Sequence, residues 1–271
     1  MVERKYNQHN IRKGFYYIFI MNNIVLEQLL NEKLNAAAIS DYAPNGLQVE
    51  GREQVKKIIT GVTASLALID YAISQNADAI LVHHGYFWKS ENPCIRGMKG
   101  KRIKALLQNN INLYAYHLPL DVHPELGNNA QLAALLGIEN LQPLEQGKFS
   151  IPVYGTLATP ISGEAFAERI EQQLQRKPLF CAENAPHFIR TVGICTGGGQ
   201  GYIDLAAQQG LDAFITGEVS EQTIHSATEQ GINFFAAGHH CTERYGVKAL
   251  GEWLVEQHGF EVEFKEIYNP A

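Results

Sequence analysis

Residues 77–87 read ADAILVHHGYF, and this stretch decides the fold class. Its run Ala79–Val82 is short and wholly apolar, which is typical of a strand that is buried on both faces. Such strands belong to parallel sheets that helices cover on both sides. His83, His84 and Gly85 follow the run at once. The stretch therefore predicts an α/β protein that carries polar chemistry at the end of one strand.

Helices and strands alternate on both sides of this stretch. The pattern predicts helices over residues 24–34, 65–75, 101–108, 128–136, 164–174, 202–208, 221–229 and 243–255. It predicts strands over residues 47–49, 57–62, 79–82, 112–116, 179–181, 191–195, 213–216 and 233–236. Pro143, Gly147 and Pro152 predict a connection near residues 139–152. Each half of the chain then reads as α-β-(β-α)3, whose βαβ units imply a largely parallel sheet.

Two pairs of similar segments indicate that the second half repeats the first. NADAILVHHG at 76–85 resembles GLDAFITGEV at 210–219, and NNINLYAYH at 109–117 resembles EQGINFFAAGH at 229–239. Because the similar segments occur in the same order, we favour a true duplication. The alternative is that any two α/β halves look alike at this level.

The composition restricts the class of protein. The chain has 271 residues and a formal net charge of −6, which argues against a general nucleic-acid surface. No run approaches the roughly 18–20 apolar residues of a membrane helix. The four cysteines form no C-x-x-C pair, and so few in a chain of this length argue against a disulfide framework. We predict a cytoplasmic protein with reduced thiols.

Residues 1–20 differ from the rest of the chain. Basic residues precede a short apolar patch, Phe15–Ile20. The patch is shorter than the about 7–15 apolar residues of a signal peptide, and no small-x-small cleavage site follows it. We therefore predict a disordered N-terminal tail over residues 1–20 and a folded chain that begins at Met21.

Side chains that bind metals gather at the predicted carboxyl ends of strands, where sites lie in open α/β sheets. His83 and His84 end one strand, and both rings can converge there once the strand pairing stops. Asp121 follows the next strand, although its alternative is a cap of a helix or turn. His239 and Glu243 follow a strand of the second half, and their spacing lets both side chains face one point. A histidine and a glutamate at this spacing more often lie on an exposed surface without a function, but the position of this pair after a buried strand favours a metal site.

Two further groups are candidates for catalysis. Three roles are open for His117: metal ligand, hydrogen-bond partner of a metal ligand, or core histidine. We favour the second role, because metal-bound imidazoles usually need a partner for their other ring nitrogen. As a catalytic group, His117 would donate a proton. Glu218 is a candidate general base or substrate-binding group. TGGGQG at 196–201 has two interpretations. Its glycines either let the backbone come close to a phosphate or nucleobase, or they form a plain tight turn.

Six separate motifs resemble one family. They are NGLQVEG (45–51), ILVHHGYFWK (80–89), YHLPLDVHPELGNN (116–129), TGGGQ (196–200), DAFITGEVSEQTIHSA (212–227) and AAGHHCTER (236–244). Together they resemble the Ngg-interacting-factor-three-like family in its short bacterial form, often labelled GTP cyclohydrolase I type 2 homologue. The resemblance runs from about Met21 to the C-terminus.

The resemblance implies two intertwined α-β-(β-α)3 repeats with largely parallel mixed sheets, over residues 21–140 and 141–271. It implies a dinuclear metal centre shared between the repeats, with two divalent ions per chain. Carried over to this sequence, the ligands are His83, His84, Asp121, His239 and Glu243. Mixed imidazole and carboxylate ligation suits zinc, manganese, iron, cobalt or nickel. The resemblance also implies a homo-oligomer, a toroidal hexamer built from dimers.

These expectations lead to a functional hypothesis. Five ligands exceed the needs of one tetrahedral zinc, so two ions that share a carboxylate would keep open positions for water or substrate. We predict a metal-dependent hydrolase of a small cyclic or nucleotide-like molecule, with Glu218 and His117 as catalytic residues. GTP cyclohydrolase chemistry is the form that the family label suggests. The alternative is a non-catalytic metal-binding scaffold or a ring-shaped partner of other proteins.

Overall fold

A computed structural model describes residues 20–147 and 149–271. Its helices are α1 (Asn23–Leu34), α2 (Leu66–Ser74), α3 (Gly97–Gln108), α4 (Leu118–Asp121), α5 (Asn128–Leu136), α6 (Gly163–Leu174), α7 (Ile203–Gln208), α8 (Glu221–Gln230) and α9 (His239–His258). Its strands are β1 (Met21–Asn22), β2 (Gly46–Val49), β3 (Gln54–Val55), β4 (Lys57–Thr63), β5 (Ala79–His84), β6 (Asn112–Ala115), β7 (Ile138–Pro143), β8 (Val153–Ser162), β9 (Leu179–Cys181), β10 (Phe188–Cys195), β11 (Ala213–Thr216), β12 (Asn233–Ala236) and β13 (Glu261–Phe264). The predicted tail lies, apart from Ile20, outside the described residues.

Two mixed sheets dominate the described part of the chain. One has the strand order β13-β4-β5-β6-β2 and the other the order β7-β8-β10-β11-β12-β9. In the first sheet β4, β5, β6 and β13 run parallel, whereas β2 is antiparallel to β6. In the second, β10, β11 and β12 are parallel, whereas β9 pairs antiparallel with β12. The predicted α/β class with mixed sheets is confirmed.

The two sheets share an internal order. The sequence β4-β5-β6-β2 in one matches β10-β11-β12-β9 in the other, and in both the last strand is antiparallel. The chain also crosses between them, because β13 from its end pairs with β4 near its beginning. The boundary near residue 140 between two repeats stays a prediction.

Local signals explain why many elements begin and end where they do. The Ser65 hydroxyl accepts the backbone N–H of Leu68 and caps α2. Gly137 takes the left-handed conformation that ends α5. Both positions agree with the predicted boundaries.

Several predicted boundaries were wrong; for example, α3 begins at Gly97 rather than Lys101, and β10 begins at Phe188 rather than Thr191. The segment 139–152 is not a plain connection, since it contains most of β7, which pairs antiparallel with β8 at the sheet edge, where Pro143 is tolerated. The strand after Ala79 continues through His84, which pairs opposite Thr63. The last helix begins at His239 rather than Glu243.

These corrections decide where the site forms. β5 and β12 end at the same region, and α9 runs from the end of β12 against β4 and β5 of the other sheet. α9 therefore carries side chains of the second half to the strand ends of the first.

Among the residues described, no helix is both long and apolar enough to cross a membrane. The cytoplasmic location stays a prediction.

Candidate metal centre

His83 and His84 present their imidazoles to one point at the end of β5. The His83 side chain is fully buried, and its Nδ1–H donates to the Tyr116 carbonyl at 3.0 Å. That bond directs Nε2 toward the centre. The Nδ1 of His84 lies 3.3 Å from the Thr63 hydroxyl, and the two ring centroids are 4.6 Å apart. Both rings are therefore fixed on their outer nitrogens, as supported metal ligands are.

Glu243 lies between three of the predicted imidazole ligands. Its Oε1 is 3.5 Å from His83 Nε2, and its Oε2 is 3.2 Å from His84 Nε2 and 3.0 Å from His239 Nε2. Because α9 begins at His239, the residues His239 and Glu243 are four positions apart on one face of this helix. Asp121 completes the group, with Oδ1 3.5 Å from His83 Nε2. The structure thus brings all five predicted ligands together.

The donor atoms of the five predicted ligands form two groups that could each hold a cation. One group is His83, Asp121 and Glu243, and the other is His84, His239 and Glu243; within each group the donor atoms lie within 4.8 Å of one another. Glu243 belongs to both groups. A carboxylate in that position suits a bridging role between neighbouring ions.

Two buried atoms in this cluster, His83 Nε2 and Glu243 Oε2, make no well-aligned hydrogen bond, although each lies 3.0–3.5 Å from an imidazole nitrogen or carboxylate oxygen. Because buried polar atoms nearly always make aligned hydrogen bonds, these two orphan atoms require an explanation. A cation bound between them supplies it, and imidazole with carboxylate is a donor set for divalent transition metals. The residues therefore fit a metal.

The electrostatics of the cluster are dominated by burial and by the two carboxylates. Burial lowers the pKa of His84 to about 3, so this ring is neutral and ready to bind a cation. Burial also opposes a charge on His83, but Asp121 and Glu243 outweigh it and raise the pKa of His83 to about 9. His239 behaves alike, since Glu243 and Glu218 overcome its burial and raise its pKa to about 9.

The pKa values of the two buried carboxyls, Glu243 and Asp121, shift in opposite directions. Burial would raise the pKa of Glu243, but the imidazoles of His83 and His84 and the hydrogen bond from His239 hold it well below its usual range. For Asp121, burial prevails and the pKa is raised. Asp121 is held by an amide N–H from Asn128 at 2.8 Å. Glu243 is therefore the anionic centre of the cluster.

His117 lies beside the cluster and is supported by a residue that the sequence analysis missed. Its Nδ1 is 3.0 Å from Asp41 Oδ1, and its ring lies close enough to His83 and His84 to share an ion with them. Asp41 also accepts the backbone N–H of Leu118 at 2.9 Å. Burial opposes the charge of Asp41, but hydrogen bonds, His117 first, hold its pKa at about 2. Asp41 lies in a loop with no motif of its own, so local sequence gave no signal for it.

Glu218 contacts a predicted ligand rather than the open cavity alone. Its Oε1 lies 2.7 Å from His239 Nδ1, and its Oε2 accepts the Gln200 side-chain amide at 3.3 Å. A carboxylate on the outer nitrogen of a metal-binding imidazole fixes the ring and makes it a better ligand. The geometry supports this holding role, whereas the role of Glu218 as a base stays a prediction.

The glycine turn after β10 makes room for the ligands. A Cβ on Gly197, whose φ is +65°, would lie 2.0 Å from Glu243 Oε1. The N–H groups of Gly197 and Gly199 donate to the hydroxyls of Thr242 and Thr216. Because these donors are satisfied internally, the turn favours the plain structural interpretation over a phosphate cradle.

A cavity of about 580 Å³ opens beside the candidate ligands. Its volume is in the range of small-molecule sites. Predicted ligands and both predicted catalytic residues, His117 and Glu218, line it together with aromatic and glycine residues. A small molecule in this cavity would therefore meet the metal-binding groups directly.

Comparisons with known proteins identify the family. The sequence matches the family model described as Duf34/NIF3 (NGG1p interacting factor 3) over residues 21–270. It is 80% identical over 251 residues to a protein of Pasteurella multocida strain Pm70 called "GTP cyclohydrolase 1 type 2 homolog", covering 93% of this chain and 100% of that protein. A protein of the same name from Escherichia coli K12 is 62% identical over 251 residues, with the same coverage.

Solved structures show the same fold. One, described as "Structural genomics, protein ybgI, unknown function", has a TM-score of 0.90 and 62% identity, covering 93% of this chain and all of that one. TTHA1606 from Thermus thermophilus has a TM-score of 0.84 and 34% identity, with the same coverage.

Proposed function

The chain belongs to the Duf34/NIF3 family, and we propose that it is a metal-dependent hydrolase of a small cyclic or nucleotide-like molecule. The observation that carries this proposal is the pair of orphan atoms, His83 Nε2 and Glu243 Oε2, buried beside an open cavity. In a purely structural cluster, these close contacts would align as hydrogen bonds.

The centre would be dinuclear, with two divalent ions per chain. His83 and Asp121 would hold one ion, His84 and His239 the other, and Glu243 would bridge them. The two donor groups that share Glu243 support this assignment. Three protein ligands for each ion leave positions open, as in catalytic rather than structural metal sites. Bound divalent ions would supply Lewis-acid activation of water and substrate.

The chain's own residues would position the groups that react. Glu218 holds the His239 ring through Nδ1, which leaves Nε2 facing the cluster. Asp41 holds His117 in the same way. His117 lines the cavity, where it can deliver a proton to a leaving group of the bound molecule. The name of the relatives makes GTP the first compound to assay.

The test combines metal content with turnover. Purified protein is loaded with manganese, zinc or iron, analysed for metal per chain, and assayed with GTP and other cyclic amides. We expect two ions per chain and turnover that disappears in Asp121→Ala. Asp70→Ala, which removes an exposed carboxylate of α2, is the matched control and should keep both properties. Full metal content without turnover on any compound would favour the metal-binding scaffold instead.

We also propose that the chain forms a ring-shaped homohexamer, on the strength of its family resemblance. Sedimentation should give a mass six times that of the chain. A monomer or dimer at micromolar concentration would contradict it.

A further inference from the structure

Two aromatic side chains form a wall of the cavity beside the candidate metal ligands. The Trp88 ring centroid lies 5.0 Å from that of His117 and 6.0 Å from that of His84. The Tyr42 ring lies 5.8 Å from Trp88, and both residues line the cavity. Tyr42 is 54% exposed, so much of its ring has no protein neighbour. We call Tyr42 and Trp88 the aromatic wall.

The backbone that carries Trp88 is held in an unfavourable conformation. Phe87 has a φ of +65°, which a bulky side chain rarely adopts. Its N–H donates to Glu91 Oε2 at 2.8 Å, and that carboxylate pairs with Lys99 at 3.1 Å. The Lys99 ammonium, in a side chain only 9% exposed, lies 4.8 Å from the Phe87 ring centroid. Strain of this kind persists where surrounding contacts enforce it, and it concentrates at ligand sites.

Two further hydrogen bonds, both made by the Tyr42 backbone, connect the aromatic wall to the predicted catalytic residue His117. The Lys89 N–H donates to the Tyr42 carbonyl at 2.8 Å, which ties the two loops of the wall together. The Tyr42 N–H donates to Asp41 Oδ1 at 2.7 Å, and this carboxyl also holds His117. The wall is therefore fixed relative to the site before any molecule binds.

The lining of the cavity indicates what the wall can bind. Within the described ranges 20–147 and 149–271, no lysine or arginine lines this cavity, so an anionic group would be held by the candidate metal-binding groups rather than by the wall. A planar ring would find an indole and a phenol face at the wall. The glycines Gly198 and Gly199 line the same cavity and leave room beside the wall.

We propose that Trp88 and Tyr42 recognise a planar heterocyclic ring of the substrate. The ring packs on the indole face, which places its edge toward His84 and His117. This inference rests on the proposed function, since it names the substrate class of the same site. The wall thus selects a substrate that carries a nucleobase.

The test measures binding to metal-loaded protein by calorimetry, with guanosine, GTP and ribose 5-phosphate as probes. We expect guanosine and GTP to bind, and Trp88→Ala to leave any affinity for ribose 5-phosphate, which lacks the base, unchanged. Trp88→Ala should weaken guanosine binding about tenfold or more, since stacking on an aromatic residue is worth about that factor. Trp88→Phe, which keeps a ring face, should restore most of the affinity. Phe188→Ala removes a 59% exposed aromatic ring at the far end of β10 and is the matched control.

A second measurement keeps the test valid if a variant is damaged. The chain has two tryptophans, so Trp253→Phe leaves Trp88 as the single tryptophan fluorophore. Guanosine should then quench it saturably with the calorimetric Kd. Metal content must be equal in all variants. Unchanged guanosine affinity in Trp88→Ala, or an equal loss of affinity for ribose 5-phosphate in this variant, would refute base recognition by the aromatic wall. A hydrolase that keeps full turnover in Trp88→Ala would refute the wall and leave the proposed function intact.

Discussion

Replacing Glu243 by glutamine should separate metal binding from folding. Glu243 is 3% exposed and contacts His83, His84 and His239 through its two oxygens. Glutamine keeps the size of the side chain but removes the negative charge and one acceptor. Because Glu243 belongs to both donor groups, the change weakens both candidate ion sites at once.

The size of the effect follows from binding linkage. A ligand that binds only the folded state stabilises it by RT ln(1 + [L]/Kd), about 4.1 kcal/mol at a thousandfold excess over Kd. Loss of a supporting group of a metal site costs about 10–100-fold in affinity, so loss of a shared ligand should cost at least 100-fold. That change removes about 2.7 kcal/mol of the metal stabilisation. For a chain near this length, the metal-induced rise in Tm should fall by roughly 5–10 °C.

Thermal melts with and without manganese or zinc, together with elemental analysis, measure this effect. Glu256→Gln changes an exposed glutamate of the same helix and should leave the metal-induced rise in Tm intact. The variant Glu243→Gln should lose metal and most of that rise. If Glu243→Gln keeps two ions per chain and the full rise, Glu243 is not a ligand and the proposed centre is wrong.

Three further predictions follow from the same geometry. Since His83 and His239 have pKa values raised to about 9, the metal-free protein carries protons there at pH 7, and metal binding should release them. Metal affinity should therefore rise from pH 7 to about 9 and then level off. In the metal-free protein, the stabilisation by these two charges should be complete below pH 6.5 and lost toward pH 9. Calorimetry in buffers of different ionisation enthalpy measures the proton release, and its absence would refute the prediction. Glu218→Gln should lower metal affinity by about 10–100-fold without unfolding the protein, as a competing chelator would show, because a neutral amide supports the His239 imidazole less than a carboxylate does. Gly197→Ala should displace the Glu243 carboxylate and lower metal content, whereas Gly201→Ala in the same turn meets no atom within 4 Å and should bind metal normally.

Much of the fold was predictable because it rests on local chemistry. The apolar run at Ala79–Val82, the Ser65 cap and the Gly137 stop each act within a few residues, and the structure has them as predicted. The residue types at the strand ends were visible for the same reason. The edge pair β7–β8 and strand β13 were missed, because their pairing partners lie outside any local window.

The sequence by itself determined that imidazoles and carboxylates follow the apolar strands, since periodicity and composition are local properties. Only the tertiary structure decided that Glu243 of the second half reaches His83 of the first, through the packing of α9 against the other sheet. It also decided that Asp41 holds His117 and that Phe87 is strained to place Trp88. These contacts join residues far apart in the chain, and their energy comes from burial and charge pairing that exist only once the sheets are assembled.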